Sequence, residues 1–348
     1  MDIILIGLNH KTAPIGIREQ FYLQPLEREL LLSELKNSPQ VVEVFVLSTC
    51  NRTEIYAHLI SEDSSILFDT LYRIKKDIYI PDLSEYFYIK KNEEAIHHFF
   101  EVTCGLNSLV VGEKQILGQV KSSAELAHRM GVLGKIFNVL INTAIHAGKI
   151  VQTKTQIGCG GSSVSWAAVA MAQKILCSFE NKSILVIGAG KMSQLTASQL
   201  IRKSVQDIFV MNRTFEKAQE LAQKIGGQAV TFLDLKNILA RIDVCICSAG
   251  ASYFLIDSEA VYEVMKLRGG KPLLLIDIST PRNINPDVAR IPNVQLLSID
   301  DLHKVIDDNL QSRYNAISSV KEIIKQKVAL FYKKIIKAGY LQTTACTH

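Results

Sequence analysis

The sequence has no stretch approaching the ~18 uninterrupted apolar residues of a membrane-spanning helix. The longest candidate, Trp166 to Cys177, is broken by Gln173 and Lys174. Its start, Met1-Asp2-Ile3-Ile4-Leu5-Ile6-Gly7, lacks the basic opening and long apolar core of a secretory signal. The seven cysteines, at 50, 104, 159, 177, 245, 247 and 346, include no CxxC spacing. That odd, scattered set argues against a disulfide framework or a zinc knuckle and for a reducing, cytoplasmic compartment, with no membrane. Metal chelation is not expected either: His97 and His98 are adjacent, so on a helix they point about 100° apart. The net charge of +5 is mild, and it permits a polyanionic partner without requiring one. There is no internal repeat and no low-complexity tract.

What the chain does have is length for two domains and the punctuation to separate them. In the first part, Ile3–Leu8, Val41–Leu47 and Glu54–Leu59 read as strands, and Leu26–Leu35 and Ser65–Ile74 as helices. From Asn92 to about Thr155 the pattern is helical, in three segments divided at Gly105 and at Gly131/Gly134. Gly158-Cys159-Gly160-Gly161-Ser162-Ser163 is the clearest linker, because three glycines in four positions cannot stay helical cheaply and either serine can cap the next helix. Strands and helices alternate after it: Ile184–Ile187, Ile208–Met211, Asp243–Cys247, Leu273–Ile278 and Val294–Leu297 are the strands, as in a parallel doubly wound sheet.

Ser298-Ile299-Asp300-Asp301 then resembles a capping box. From Leu302 through Ile335 apolar residues recur at helical spacing, with no proline or glycine until Gly339. A helix of that extent runs roughly 55–60 Å and predicts a strut or partner surface. The expected class is α/β, with an N-terminal α+β domain (1–157), a Rossmann-type domain (158–297) and a long C-terminal helix (298–348).

The strand Ser183–Ile187 leads directly into Gly188-Ala189-Gly190-Lys191-Met192-Ser193. This is the strand–GxGxx–helix context of a dinucleotide site: Gly188 permits the tight turn, and Gly190 lets a pyrophosphate approach the backbone. The helix start supplies free N–H groups. Ser193 stands where a third glycine is usual. The alternative is a glycine turn in a non-binding α/β domain. At the end of the second strand, Asn212-Arg213-Thr214 occupies the region where an NAD site carries a carboxylate for the ribose hydroxyl. A guanidinium there can bind a 2′-phosphate through paired charged hydrogen bonds, so the cofactor is read as NADPH. The alternative for Arg213 is a solvated loop arginine.

Val44-Phe45-Val46-Leu47 opens into Ser48-Thr49-Cys50-Asn51-Arg52-Thr53-Glu54. A cysteine at a strand end, two residues before an arginine, is suited to nucleophilic work, because nearby positive charge stabilises the reactive thiolate. The alternative is a buried, inert small hydrophobe. Together with Gly7-Leu8-Asn9-His10-Lys11-Thr12-Ala13-Pro14, with Gly105 to Lys121, and with Asp277-Ile278-Ser279-Thr280-Pro281-Arg282, this segment resembles the glutamyl-tRNA reductase family over nearly the whole chain.

The resemblance implies NADPH-dependent reduction of glutamyl-tRNA to glutamate-1-semialdehyde through a Cys50 thioester, the entry to 5-aminolevulinate and tetrapyrroles. By position it implies that Arg52 clamps the substrate carboxylate, with Thr49 and Asn51 lining the same pocket. It also implies that Ser108, Glu113, Lys114, Gln115 and Gln119 bind the glutamyl group, with Glu113 answering the ammonium. His98 matches a histidine that could polarise the carbonyl or protonate the leaving oxygen; its alternative is a helix-packing histidine. Beyond the tRNA, a downstream aminomutase that receives the aldehyde is a candidate partner.

Departures from the family pattern are Asn107 for a usual Asp, Glu101 for a basic residue and Lys191 for a common acid, the last favouring NADPH. The chain also stops soon after the long helix, where many relatives continue into a dimerisation domain, so a homodimer through that helix stays open. Lysines 321, 325, 327, 333, 334 and 337 make the helix's far end basic, as a tRNA surface or simply as a solvated face. Two rival functions remain: an NADP oxidoreductase like the shikimate dehydrogenases, and a non-catalytic NADP-binding sensor.

Overall fold

In the computed structural model, residues 2–76, 85–155, 157, 163–302 and 311–340 are described. They form two compact units: Met1–Ser162 together with Asn309–His348, and Ser163–Asp308. Most of the glycine linker, Gly158–Ser162, lies outside the described residues, as do Val305, Ile306 and Leu310 of the expected apolar stripe.

The first unit is built on a four-stranded antiparallel sheet. Its strands are β1 (Asp2–Asn9), β2 (Val41–Thr49), β3 (Arg52–Leu59) and β4 (Tyr88–Lys91), in the order β2-β3-β1-β4. The unbroken apolar run Ile3–Leu8 makes β1 an inner strand buried on both faces. Around the sheet lie α1 (Ile15–Phe21), α2 (Pro25–Lys36), α3 (Ser65–Ile74), α4 (Asn92–Thr103), α5 (Gln115–Arg129) and α6 (Lys135–Lys154). α4 packs on β1, while α2 and α5 pack on β2. A capping box between Gln24 and Glu27, with Pro25 in the first turn, starts α2. The start of α6 is capped from a distance: the buried carboxylate of Glu43 accepts the N–H groups of Ile136 and Phe137 at 3.0 and 2.7 Å. The sequence analysis missed α1 and β4, which are too short, at seven and four residues, to display a period.

The second unit runs α7 (Val164–Leu176), β5 (Ser183–Ile187), α8 (Lys191–Arg202), β6 (Asp207–Met211), α9 (Phe215–Ile225), β7 (Gln228–Val230), α10 (Leu235–Arg241), β8 (Val244–Cys247), α11 (Ser258–Leu267), β9 (Leu273–Asp277) and β10 (Val294–Ser298). Ser163 caps α7 through its hydroxyl, as one of the two expected serines. The six strands are all parallel in the order β7-β6-β5-β8-β9-β10. That is the doubly wound arrangement, with its strand order reversing between β5 and β8.

The C-terminal helix corrects the expected strut. Ser298 does bond Asp301 Oδ2 through both its N–H and its hydroxyl at 2.8 Å, but the turn it starts is a 3₁₀ turn at Ile299–Leu302. The described helix, α12 (Gln311–Lys337), spans 27 residues and belongs to the first unit. It buries Val320, Ile324, Phe331 and Ile335 against that unit's core and packs on α6 and α4. From Val320 to Ile335 the apolar stripe is therefore covered within its own chain, because two neighbouring helices offer it a matching surface. Among the described residues, no helix is long and apolar enough to cross a membrane.

Candidate active site

Thr49 pairs with Arg52 as the last rung between β2 and β3, so Cys50 and Asn51 make up the whole turn. Side-chain hydroxyls pin this hairpin to the segment between α1 and α2. Ser48 Oγ and Thr53 Oγ1 lie 3.0 Å apart; Ser48 accepts Leu23 N–H at 2.9 Å, and Thr53 donates to the Phe21 carbonyl at 3.0 Å. From the other side, His10 N–H donates to the Asn51 carbonyl at 3.0 Å. A short turn with three such anchors presents its cysteine in one orientation.

Cys50 is half-buried. Burial pushes its thiol up to about 12 and the charge of Glu113 adds to that rise, while Arg18 and then Arg52 pull the other way. Desolvation of the sulfur is the largest of these influences, ahead of both cations, and the charge of Arg52 is balanced by Glu54. Arg18, on α1, is a cation at the site that the sequence analysis did not single out.

Arg52 is 2 % exposed and its side chain is committed inside the protein. Nη1 donates to Glu54 Oε1 at 2.7 Å, and Nη2 donates to the Asn107 carbonyl. This narrows the expected carboxylate clamp to the N–H groups left over. Glu54, fully buried, also accepts the hydroxyls of Tyr88 (2.6 Å, Oε1) and Tyr56 (2.7 Å, Oε2), and bonds His98 Nε2 at 2.8 Å. Burial opposes its ionisation, but Arg52, then His98 and these hydrogen bonds hold its carboxyl well below the usual carboxylate range. His98 thus lies against Glu54, and its ring packs on Tyr88 with centroids 5.5 Å apart.

The segment from Gly105 to Gln115 closes on itself through Gly112 N–H to Gly105 C=O (2.9 Å) and Glu113 N–H to Val110 C=O (3.0 Å). Arg52 ties it to the Cys50 hairpin through Asn107. Glu113, 9 % exposed, is raised by burial to about 7, with Arg52 opposing. Among the described residues, four buried polar atoms on the two segments have no hydrogen-bond partner: Asn51 Oδ1, Asn107 Oδ1, Ser108 Oγ and Gln115 Nε2. Gln119 follows Gln115 by one helical turn and is half-buried. Lys114 is exposed, with its carbonyl accepting from Gln152, and the structure does not bring it into this set.

The dinucleotide turn lines a cavity of about 630 Å³ at the strand-order reversal of the second unit. Gly188 has φ +114°, and a Cβ there would come within 2.6 Å of Ser193 Oγ and 3.1 Å of the Ser248 carbonyl. Gly190 faces open space, as a pyrophosphate cradle requires. Ser193, replacing the third glycine, is buried and shares a 2.8 Å hydrogen bond with Ser248 Oγ. Ala189, Asn212 and Arg213 line the cavity; Lys191, Met192, Ser193 and Thr214 flank it. Asn212 Nδ2 donates to the Thr214 carbonyl at 2.9 Å.

Sequence reasoning overlooked the opposite wall, which includes Phe232, Leu235, Ser248, Ala249, Gly250 and Phe254. The small triplet Ser248-Ala249-Gly250, directly after a buried strand, was the available signal. Asn283 sets the rim, donating through Nδ2 to the Ala251 and Tyr253 carbonyls at 2.8 and 3.0 Å. Buried Asp277 in turn holds the N–H groups of Ser279, Asn283 and Ile284.

Comparison with known proteins matches both units. The family model described as glutamyl-tRNAGlu reductase, N-terminal domain, matches residues 6–155, and that of shikimate / quinate 5-dehydrogenase matches residues 170–305. The glutamyl-tRNA reductase of Thermodesulfovibrio yellowstonii is 38 % identical over 345 residues, covering 96 % of this chain and 80 % of its own length. The Bacillus subtilis protein of the same name is 38 % identical over 337 residues, covering 95 % and 73 %. Among solved structures, glutamyl-tRNA reductase from Methanopyrus kandleri aligns over 97 % of this chain and 81 % of its own, with a TM-score of 0.54 and 32 % identity.

Proposed function

Because this chain belongs to the glutamyl-tRNA reductase family, we propose that it reduces the glutamyl group of glutamyl-tRNA to glutamate-1-semialdehyde, with Cys50 carrying the acyl group and NADPH as reductant. The observation that carries this reading is a cysteine held in a two-residue turn, next to buried polar atoms that the protein leaves unpartnered. Buried polar groups are ordinarily paired. A set without partners suits a ligand such as a glutamyl group, which brings an ammonium, a carboxylate and a carbonyl.

Cys50 sulfur attacks the ester carbonyl carbon. The C–S bond forms, the bond to the tRNA 3′-oxygen breaks, and the thiol proton leaves with that oxygen. A reduced nicotinamide, which Gly188, Gly190, Asn212 and Arg213 would hold, would supply the hydride that the acyl carbon accepts. The C–S bond then breaks as the aldehyde forms, and the sulfur regains a proton from solvent. Glu113 couples binding to this chemistry: its charge opposes thiol ionisation, and a substrate ammonium paired with it lifts that opposition. Thr49, Asn51, Arg52, Ser108, Gln115 and Gln119 complete the proposed pocket.

Preference for NADPH is supported by Asn212 and Arg213 on the cavity wall, where a carboxylate would repel a 2′-phosphate. A shikimate-dehydrogenase-like reaction accounts for residues 170–305 and leaves the Cys50 unit without a role. The test is intact-mass analysis after mixing the protein with glutamyl-tRNA and no NADPH. A glutamyl adduct on Cys50, lost in Cys50→Ser, is expected; an unmodified wild-type protein that still yields aldehyde when NADPH is added rejects the thioester.

A further inference from the structure

Resting on the Cys50 reading, we infer that His98 is a positioning residue that acts through Glu54 to hold Arg52, and through Arg52 the Asn107 segment, without transferring a proton to substrate. The geometry around it argues this directly. An ionised carboxylate only accepts hydrogen bonds, so His98 Nε2 carries its proton toward Glu54 Oε1 at 2.8 Å, and that nitrogen is taken. Tyr88 lies beside the ring, with centroids 5.5 Å apart and the two planes tilted by 58°. The cavity that His98 lines, about 550 Å³, is formed with Lys90, Glu93, Glu94, His97 and Glu101, and Cys50 is not among its walls.

Glu54 is the hub of this arrangement. Its donors come from three separate elements: Arg52 and Tyr56 on β3, Tyr88 on β4 and His98 on α4. Tyr88 in turn accepts from Asn9 Nδ2 at 3.2 Å, linking the end of β1 to the same carboxylate. The charged and titratable groups facing His98 are therefore Glu54, Tyr88, Lys90, Glu93, Glu94, His97 and Glu101. With four donors fixing the carboxylate, the guanidinium has one low-energy direction, and its second nitrogen reaches the Asn107 carbonyl.

The experiment measures single-turnover glutamylation of Cys50 from glutamyl-tRNA, without NADPH, in wild type, His98→Gln, His98→Leu and Tyr88→Phe. Glutamine keeps an N–H donor at position 98, whereas leucine keeps only volume. Expected are His98→Gln within about threefold of wild type, with an unchanged pH profile between roughly pH 6 and 9, and His98→Leu and Tyr88→Phe slowed on the order of 10–100-fold. His98→Gln as slow as His98→Leu, or a pH limb lost in His98→Gln, overturns the inference while wild-type adduct keeps the Cys50 reading intact. Absence of adduct in wild type overturns both. Thermal melts check folding, and if the His98→Leu variant does not fold, the contrast between His98→Gln and Tyr88→Phe gives the same decision.

Discussion

Glu54 and Tyr88 stand on strands that never pair with each other, and they meet across Gly7. Gly7 lies opposite Glu54 on one side and opposite Tyr88 on the other, and their side chains join over it with a 2.6 Å hydrogen bond. A Cβ at Gly7 would come within 2.8 Å of Glu54 Cγ and 3.2 Å of Tyr88 Cζ. Gly7→Ala is therefore expected to destabilise the first unit by about 1–3 kcal/mol through overpacking, and to slow acyl transfer to Cys50 as the Glu54 hub shifts. Urea unfolding and the single-turnover assay together check this; unchanged values in both reject the bridging role.

Removing the charge of Glu113 should make Cys50 more reactive toward alkylation while impairing use of substrate. Its carboxylate is the second cause of the raised thiol, so Glu113→Gln lowers the thiol from about 12 and raises the iodoacetamide rate at a fixed pH near 8. A rate equal to wild type removes the electrostatic link between the two side chains.

The same residue gives a pH-dependent stability of known sign. Glu113 is raised from near 4.5 to about 7 in the folded protein, so the folded state binds more protons between those values. Its contribution is fully present below about pH 4.5 and is lost as pH rises through 7, by an amount on the order of 3 kcal/mol. Denaturant midpoints compared across pH 5 and pH 8 should fall less in Glu113→Gln than in wild type. Parallel slopes for the two proteins reject the shift.

Arg213→Ala should weaken NADPH binding roughly 10–100-fold and NADH little, since the lost guanidinium pairs with a phosphate that only NADPH carries. Equilibrium titration of each nucleotide decides it, and equal weakening removes the phosphate role.

Phe331, in the last third of α12, is fully buried in the first unit's core, where the helix packs on α6 and α4. Phe331→Ala is expected to cost about 3–5 kcal/mol of the first unit's stability. A loss below about 1 kcal/mol, read from urea unfolding, would mean the helix is a detached strut after all.

Much of this was legible in the chain because it rests on local rules. The unbroken run Ile3–Leu8 dictates an inner strand, the glycines at 188 and 190 dictate the phosphate turn, and Ser48–Thr53 between two apolar strands dictates a tight turn bearing Cys50. Even the Arg52–Glu54 pair was within reach, since residues two apart on a strand share a face. The short β4 and α1 escaped, since four and seven residues carry too few repeats to display a period.

Composition and periodicity by themselves thus determined the parallel sheet of the second unit, the dinucleotide turn and the presentation of one cysteine at a strand end. Only the tertiary structure decided that Tyr88 and His98 converge on Glu54, that α12 docks on α6, and that burial pushes the Cys50 thiol up. Such properties depend on which distant groups withdraw water from an atom or approach it through space, and those neighbours lie tens or hundreds of residues away along the chain.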